Sequence, residues 1–475
     1  MKKALVLLLV LMLSISFISC SSSNTSSSSD ASSSPGQKAS SGNGKKVQVI
    51  VWGLNPLAPG SGNKEMIDEF NKSHDSIEIV PQTTPGTGGY ATQDVSKLLA
   101  AIAAGNPPDI TWLDRFTAAQ FAARGALTPL DEYIEASGLD ISQYAEYTVK
   151  EITFDGKIWA LPWDTDTRIL FWNKDLFKEA GLDPETPPNT WDELKEYTKK
   201  LTKTNEKGEF TQIGFIPTYG NTSMYLYGFQ NGAKFLSEDG KKALLNAPEV
   251  VEALEFVVEL MDMLGGAEKI NAYTSTFQGE ANNPFLTGQV AMLITVNNAI
   301  RDYTRYKPDL NFGAALPPTP TGENKITWSG GWSWAIPKKA KHPKEAFEVI
   351  KWLTTEGIKV QQAAAAKYNQ EELGNKYFAP FPAAYEPTNK ELLETYVDPM
   401  DNETIKKAIY VGMDAMKVAL HRPVSPVGEV MWVELGKALD KAIYHELTPQ
   451  EALDAANKVV QEELDKFWAN YKPSN

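Results

Sequence analysis

Between Val47 and Leu113 short apolar runs alternate with segments of helical period, and this alternation limits the available folds more than any other feature of the chain. Val47-Gln48-Val49-Ile50-Val51-Trp52-Gly53 reads as a buried strand ending in a glycine loop. Met66, Ile67 and Phe70 then recur at helical spacing within Lys64 to Ser73. Ser76 to Val80 gives a second strand, Gln93 to Ala104 a helix stopped by Pro107-Pro108, and Asp109 to Leu113 a third strand. Strand and helix in that order predict an α/β fold with a mostly parallel, doubly wound sheet, whose ligands sit beyond the carboxyl ends of the strands. Trp52 and Trp112-Leu113-Asp114 fall at those ends.

Leu161 to Leu176 begins a second α/β unit. Thr190 with Glu193 three residues later is a capping box opening the helix at Trp191. Amphipathic helices are expected over Pro248 to Leu264, Lys344 to Thr355, Asn402 to Leu420, Pro426 to Tyr444 and Pro449 to Tyr471. No low-complexity linker divides the units, so two lobes of this 475-residue chain must share crossing strands, which predicts a hinge.

The amino terminus is built differently. Lys2 and Lys3 precede an apolar run from Ala4 to Ile18, too short to span a bilayer and suited to a signal peptide over residues 1–19. Cys20, the only cysteine, follows directly, so the chain makes no internal disulfide. Phe17-Ile18-Ser19-Cys20 resembles a bacterial lipobox, with Phe17 in place of the usual Leu; the resemblance implies lipidation at Cys20. The Ser-rich stretch that follows, to residue 46, contains no aromatic residue and is expected to be a tether. A net charge of −14 argues against nucleic acid and anionic lipid surfaces as partners.

Chemistry is constrained largely by what is missing. His74, His342, His421 and His445 have no metal-ligand spacing, and there is no nucleophile elbow, P-loop or dinucleotide fingerprint; Gly86-Thr87-Gly88-Gly89 lacks the lysine and the spacing. No cofactor is expected. Glycoside hydrolysis needs two carboxyls flanking a sugar bond, and Asp164 with Asp166 or Asp114 could supply them. Carboxylates that accept hydrogen bonds from sugar hydroxyls read identically in sequence, and alternation puts Asp164 and Asp166 on one face beside Trp163. Of twelve tryptophans, Trp52, Trp112, Trp163, Trp328 and Trp332 sit at strand ends or in loops, whereas Trp191, Trp352 and Trp468 lie in helices and read as core. A single indole is ordinarily a packing residue. A group of them among Asp114, Asp164, Asp166 and Arg168 suits a pyranose, whose C–H face stacks on rings and whose hydroxyl rim needs charged partners.

An ordered set of motifs resembles the family 1 extracellular solute-binding proteins, which include maltose-binding protein. Asp109-Ile110-Thr111-Trp112-Leu113-Asp114-Arg115-Phe116 and Gly125 to Asp131 carry part of it. Gly156 to Pro162, Asp166-Thr167-Arg168, Phe171 to Phe177, Pro188 to Leu194, Phe285 to Met292, Gly330 to Pro337 and His342 to Ala346 continue it to about Gly357. The resemblance implies two discontinuous α/β lobes joined by a hinge, the type II periplasmic-binding-protein fold: residues 47–160 plus 335–367, and 161–334 plus 368–475. It implies that Asp114 and Asp166 bind sugar hydroxyls and that Trp112, Trp332 and Trp432 offer aromatic faces. Arg115, Arg168, Trp163 and Asp164 are further candidates, with Asn298 where some members place an aromatic and Tyr225 and Tyr90 on less constrained loops. It further implies a monomeric, non-enzymatic capture protein for a carbohydrate, exported and lipid-anchored outside the cytoplasmic membrane or periplasmic, that docks on the permease of an ABC importer. A secreted hydrolase using Asp164 and Asp166, or a sugar sensor feeding a signalling receptor, are the alternatives.

Overall fold

The structure, a computed structural model, describes residues 46–82 and 95–472. The signal peptide, Cys20, the tether up to residue 45, the glycine cluster and Tyr90 lie outside the described residues. Two five-stranded sheets organise the rest, and the chain passes between them in adjacent antiparallel segments.

The first sheet runs in the order Ile77–Gln82, Val47–Trp52, Ile110–Asp114, Trp332–Ala335, Leu161–Pro162. Its first three strands are parallel, as their alternation with helices requires. Val49, Val51, Ile77 and Ile79 are buried against the helix Asn63–Ser73, which turns Met66, Ile67 and Phe70 inward. Trp332–Ala335 runs antiparallel to Ile110–Asp114 on one side and to Leu161–Pro162 on the other, so the parallel pairing stops at the third strand. The reason is topological. Trp332–Ala335 enters the first sheet directly from the second instead of returning over a helix, and it therefore runs against both of its neighbours.

The second sheet centres on Asp166–Asn173, flanked by Met292–Val296, Phe312–Ala315 and Thr327–Gly330, all antiparallel to it. Leu170 and Trp172 face one core and Ile169 and Phe171 another, so this strand is covered on both sides. Ala419–Leu420 adds a short parallel edge beside Thr327 and Trp328. That pairing ends the helix Glu403–Ala415 earlier than its apolar pattern predicts, because Ala419 and Leu420 are drawn into the sheet. The expected helix from Lys344 instead runs longer, as Pro343–Trp352, a π turn at Leu353–Gly357 and Ile358–Glu371.

Between the sheets the links are very short. Gly331 alone separates Thr327–Gly330 from Trp332–Ala335, and Trp163–Thr165 separates Leu161–Pro162 from Asp166–Asn173. Trp163 N–H donates to the Trp332 carbonyl at 2.9 Å, tying the two links together. Gly331 has φ +136°, and a Cβ there would stand 2.0 Å from Arg115 Nη1 and 2.7 Å from the Asp164 carbonyl oxygen. Glycine is the residue this passage accommodates. The long helix Pro449–Asn470 packs in the core beside the second sheet, while Phe467, Trp468 and Tyr471 at its end reach a core of the first.

A candidate ligand-binding cleft

Beside the paired links opens a cleft of about 430 Å³, within the range of small-molecule sites. Its floor is aromatic. Trp112 meets Trp332 and Trp163 edge-on, each at 5.3 Å, and stacks on Trp334 at 5.3 Å. Trp334 is fully buried and Trp112 and Trp163 nearly so, which leaves Trp332 as the ring with most open surface. The loop from Asn55 to Ser61 and the helix Ile358–Glu371 form one side; Asn298, Arg301, Phe378 and Phe381 contribute to the other.

Asp164 is the carboxylate that lines this cleft beside the links. Its Oδ1 accepts from the Trp332 backbone N–H at 2.7 Å, which fixes the carboxyl beside the link that carries Trp332. Burial pushes its carboxyl up to about 7, and the nearby charges of Asp166 and Asp114 act in the same direction. Asp166, two residues on, is engaged elsewhere: Oδ1 accepts from Gly330 N–H at 2.7 Å and pairs with Arg168. Arg168 also donates to Asn221 Oδ1 at 2.6 Å and lies 3.3 Å from the centroid of the Trp328 ring.

Arg115 and Arg168 were read as ligand donors, and the structure buries both in internal networks. Arg115 donates to Glu151 at 2.9 Å, to Ser329 Oγ at 2.9 Å and to the carbonyls of Asp164 and Gly330, each at 2.6 Å. Every one of these partners but Glu151 lies on or beside the links, which makes Arg115 a fastener of the hinge. Asp114 carries a partner that the sequence did not disclose: Arg422 donates to it at 2.5 Å and to Glu151 at 3.1 Å. Arg422 also lies 4.5 Å from the Phe116 centroid. Outward from there, Phe116 touches Trp432, which is 39% exposed and stacks on Tyr225.

The thirteen expected ligand residues therefore separate. Trp112, Trp163, Asp164, Asn298 and Trp332 line the cleft together. Trp432 is open to solvent beyond the Asp114–Arg422 pair, and Asp114 and Asp166 keep part of their surface. Tyr225, 1% exposed, is buried beneath Trp432 and stacks on that ring. Trp52 donates to Gln82 at 3.1 Å and lines a different depression, with Asn106 and His342. Tyr90 is outside the described residues. Arg301, Phe378, Phe381 and Arg422 were missed; Arg301 follows Asn298 by three residues, the one positional hint available. Among the described residues no three His, Cys, Asp or Glu side chains gather to hold a metal ion.

A family model described as bacterial extracellular solute-binding protein matches residues 55–360. The sn-glycerol-3-phosphate-binding periplasmic protein UgpB of Salmonella paratyphi A is 27% identical, over 85% of this chain and 89% of that protein. The solved structure of CpMnBP1 with mannobiose bound is 30% identical, covers 87% of this chain and 99% of its own, and superposes with a TM-score of 0.70. An ABC substrate-binding protein from Listeria monocytogenes in complex with cycloalternan is 22% identical at a TM-score of 0.67, covering 88% of this chain and 99% of its own, and shares the fold.

Proposed function

Because this chain belongs to the bacterial extracellular solute-binding proteins, we propose that it captures a sugar or short oligosaccharide between its two lobes and delivers it to the permease of an ABC importer. The observation that carries this reading is the Trp332–Asp164 unit: a partly exposed indole and a carboxyl side by side at the floor of the cleft, the carboxyl held by the Trp332 backbone N–H at 2.7 Å. Such a pair offers a pyranose both its stacking surface and a partner for its hydroxyls. The mannobiose complex of a relative 30% identical supports the same ligand class. Trp112, Trp163, Asn298 and Trp432 are proposed as further ligand residues, with Asp114 and Asp166 at the cleft margin.

The lobes are proposed to divide at the links, with pivots at Trp163–Thr165 and Gly331, and near the end of the helix Ile358–Glu371. The expected bounds at 160/161, 334/335 and 367/368 would take Leu161–Pro162 and part of Trp332–Ala335 out of the first sheet and cut that helix. Ligand that touches both lobes only when they close shifts the open–closed equilibrium by its differential affinity. Turnover is not part of the proposal. Hydrolysis would need two carboxyls free to flank a sugar bond, whereas Asp166 is held by Arg168 and Gly330. The protein is proposed to work as a monomer, anchored by lipid at Cys20; Cys20→Ala should then move it from the membrane to the soluble fraction.

Thermal-shift measurements against mono-, di- and oligosaccharides, with chromatography of the products, test the assignment. A ligand of the folded state raises the melting temperature by mass action. No shift with any carbohydrate overturns the sugar assignment, and shortened products overturn binding without turnover.

A further inference from the structure

Arg301 lines the cleft and forms no ion pair among the described residues, although the charge of the adjacent Asp302 acts on it. It stands on the helix Ile300–Tyr306, and its guanidinium lies 4.8 Å from the Phe378 centroid and 4.7 Å from that of Phe381. Among the described residues it makes no side-chain hydrogen bond or ion pair, and burial pulls its pKa down to about 10. A partly buried charge of this kind gains from an anionic partner. The aromatic rings engage the cation electrostatically but cannot accept its N–H bonds, and those donors suit the bidentate geometry of a carboxylate or phosphate.

The surrounding charges leave Arg301 as the surplus. Asp114 is paired with Arg422, Asp166 with Arg168, and Glu151 with both Arg115 and Arg422. Burial raises the Asp164 carboxyl to about 7, which favours its neutral form. Asp302 and Arg305, exposed on the helix of Arg301, carry opposite charges that act on it in opposite directions. Across the cleft the polar groups are neutral among the described residues: Asn55, Ser61, Asn63, Gln361 and Asn369. Asn298, one helical turn before Arg301, has a buried Oδ1 that accepts no hydrogen bond. One side is thus fitted to hydroxyls and the other to an anion beside a hydroxyl.

We infer that the preferred ligand is an anionic carbohydrate with a carboxylate or a phosphate seated against Arg301. This rests on the sugar-capture reading above and narrows it. Tryptophan fluorescence titrations with digalacturonate, galactobiose and glucose 6-phosphate test it. The expected result is that one of the two anionic probes binds at least tenfold tighter than galactobiose, with an affinity that falls as salt is raised. Digalacturonate in front assigns a carboxylate, and glucose 6-phosphate a phosphate. Arg301→Gln is expected to reduce that preference to less than threefold, with Arg301→Lys restoring part of it. If Arg301→Gln does not fold, the salt dependence of the unaltered protein serves as the second measure. Galactobiose binding as tightly as both anions, or a preference untouched by Arg301→Gln, overturns the inference while leaving sugar capture intact. Binding of none of the three, nor of any other carbohydrate, overturns the capture reading and this inference with it.

Discussion

Arg422 donates to Asp114 Oδ1 at 2.5 Å, joining the segment after the last strand of the second sheet to the end of a strand in the first. The same guanidinium reaches Glu151, which in turn holds Arg115 against the links. Removing one member of a buried ionic cluster strands the others, at a cost of about 3 kcal/mol. Arg422→Met should therefore lower stability by that order in urea unfolding. Arg422→Met with Asp114→Asn should recover about 1 kcal/mol of it, since the stranded carboxylate is removed. A single substitution without effect would mean that the cluster carries no net stability.

Asp164 gives a dependence on pH with a definite sign. Its folded pKa of about 7 lies above the usual carboxylate value, so between roughly pH 4 and 7 the folded state binds more protons than the unfolded chain. Its contribution is fully present at low pH and is lost as pH rises through about 7. Asp164→Asn keeps an acceptor for Trp332 N–H and has no charge to bury. The variant should gain on the unaltered protein by up to about 1.4 kcal/mol per pH unit between pH 5 and 7, and level off above. Parallel stability curves for the two proteins would refute the shift.

Trp332 and Asp166 should separate in their effects. Trp332→Ala removes the open ring of the floor and is expected to weaken ligand binding at least tenfold, about 1.4 kcal/mol, with little change in melting temperature. Asp166→Ala strips Arg168 and Gly330 N–H of their acceptor, so it should lower the melting temperature as well as affinity. Calorimetric titration beside thermal unfolding distinguishes the two; normal affinity in both variants would put the site elsewhere.

Gly331→Ala tests the passage between the sheets. With φ at +136° and 2.0 Å to Arg115 Nη1, the new methyl group must displace the guanidinium or the backbone. A loss of about 2 kcal/mol or more in equilibrium unfolding is expected. Ala tolerated at full stability would show that the link has room the structure does not display.

Local signals were legible and long-range ones were not. Thr190 caps its helix with Glu193 as the spacing requires, and Trp191 packs face to face on Phe256 at 4.0 Å inside the core. The strand at Val47 and the helix at Asn63 declare themselves by periodicity, which depends only on near neighbours. Arg422 could not be read in this way, because its partners Asp114 and Glu151 are 308 and 271 residues away and it belongs to no periodic face. Arg115 and Arg168 misled for a related reason: a buried guanidinium fastening strands and an exposed one awaiting ligand are the same letter. The reversed strand of the first sheet, Trp332–Ala335, is not legible because periodicity gives a strand its faces and not its direction.

The brevity of the link at Gly331 bears on the timing of capture. A side chain one residue from a pivot moves little when the bodies on either side rotate, so Trp332 and the Asp164 carboxyl bonded to its N–H present nearly the same surface whether the lobes stand apart or together. Tyr368, on the helix Ile358–Glu371, is carried through a longer arc. Substitutions at the stationary floor should thus change the association rate as well as dissociation, whereas those on outlying elements such as Tyr368 should act chiefly on how long a ligand stays.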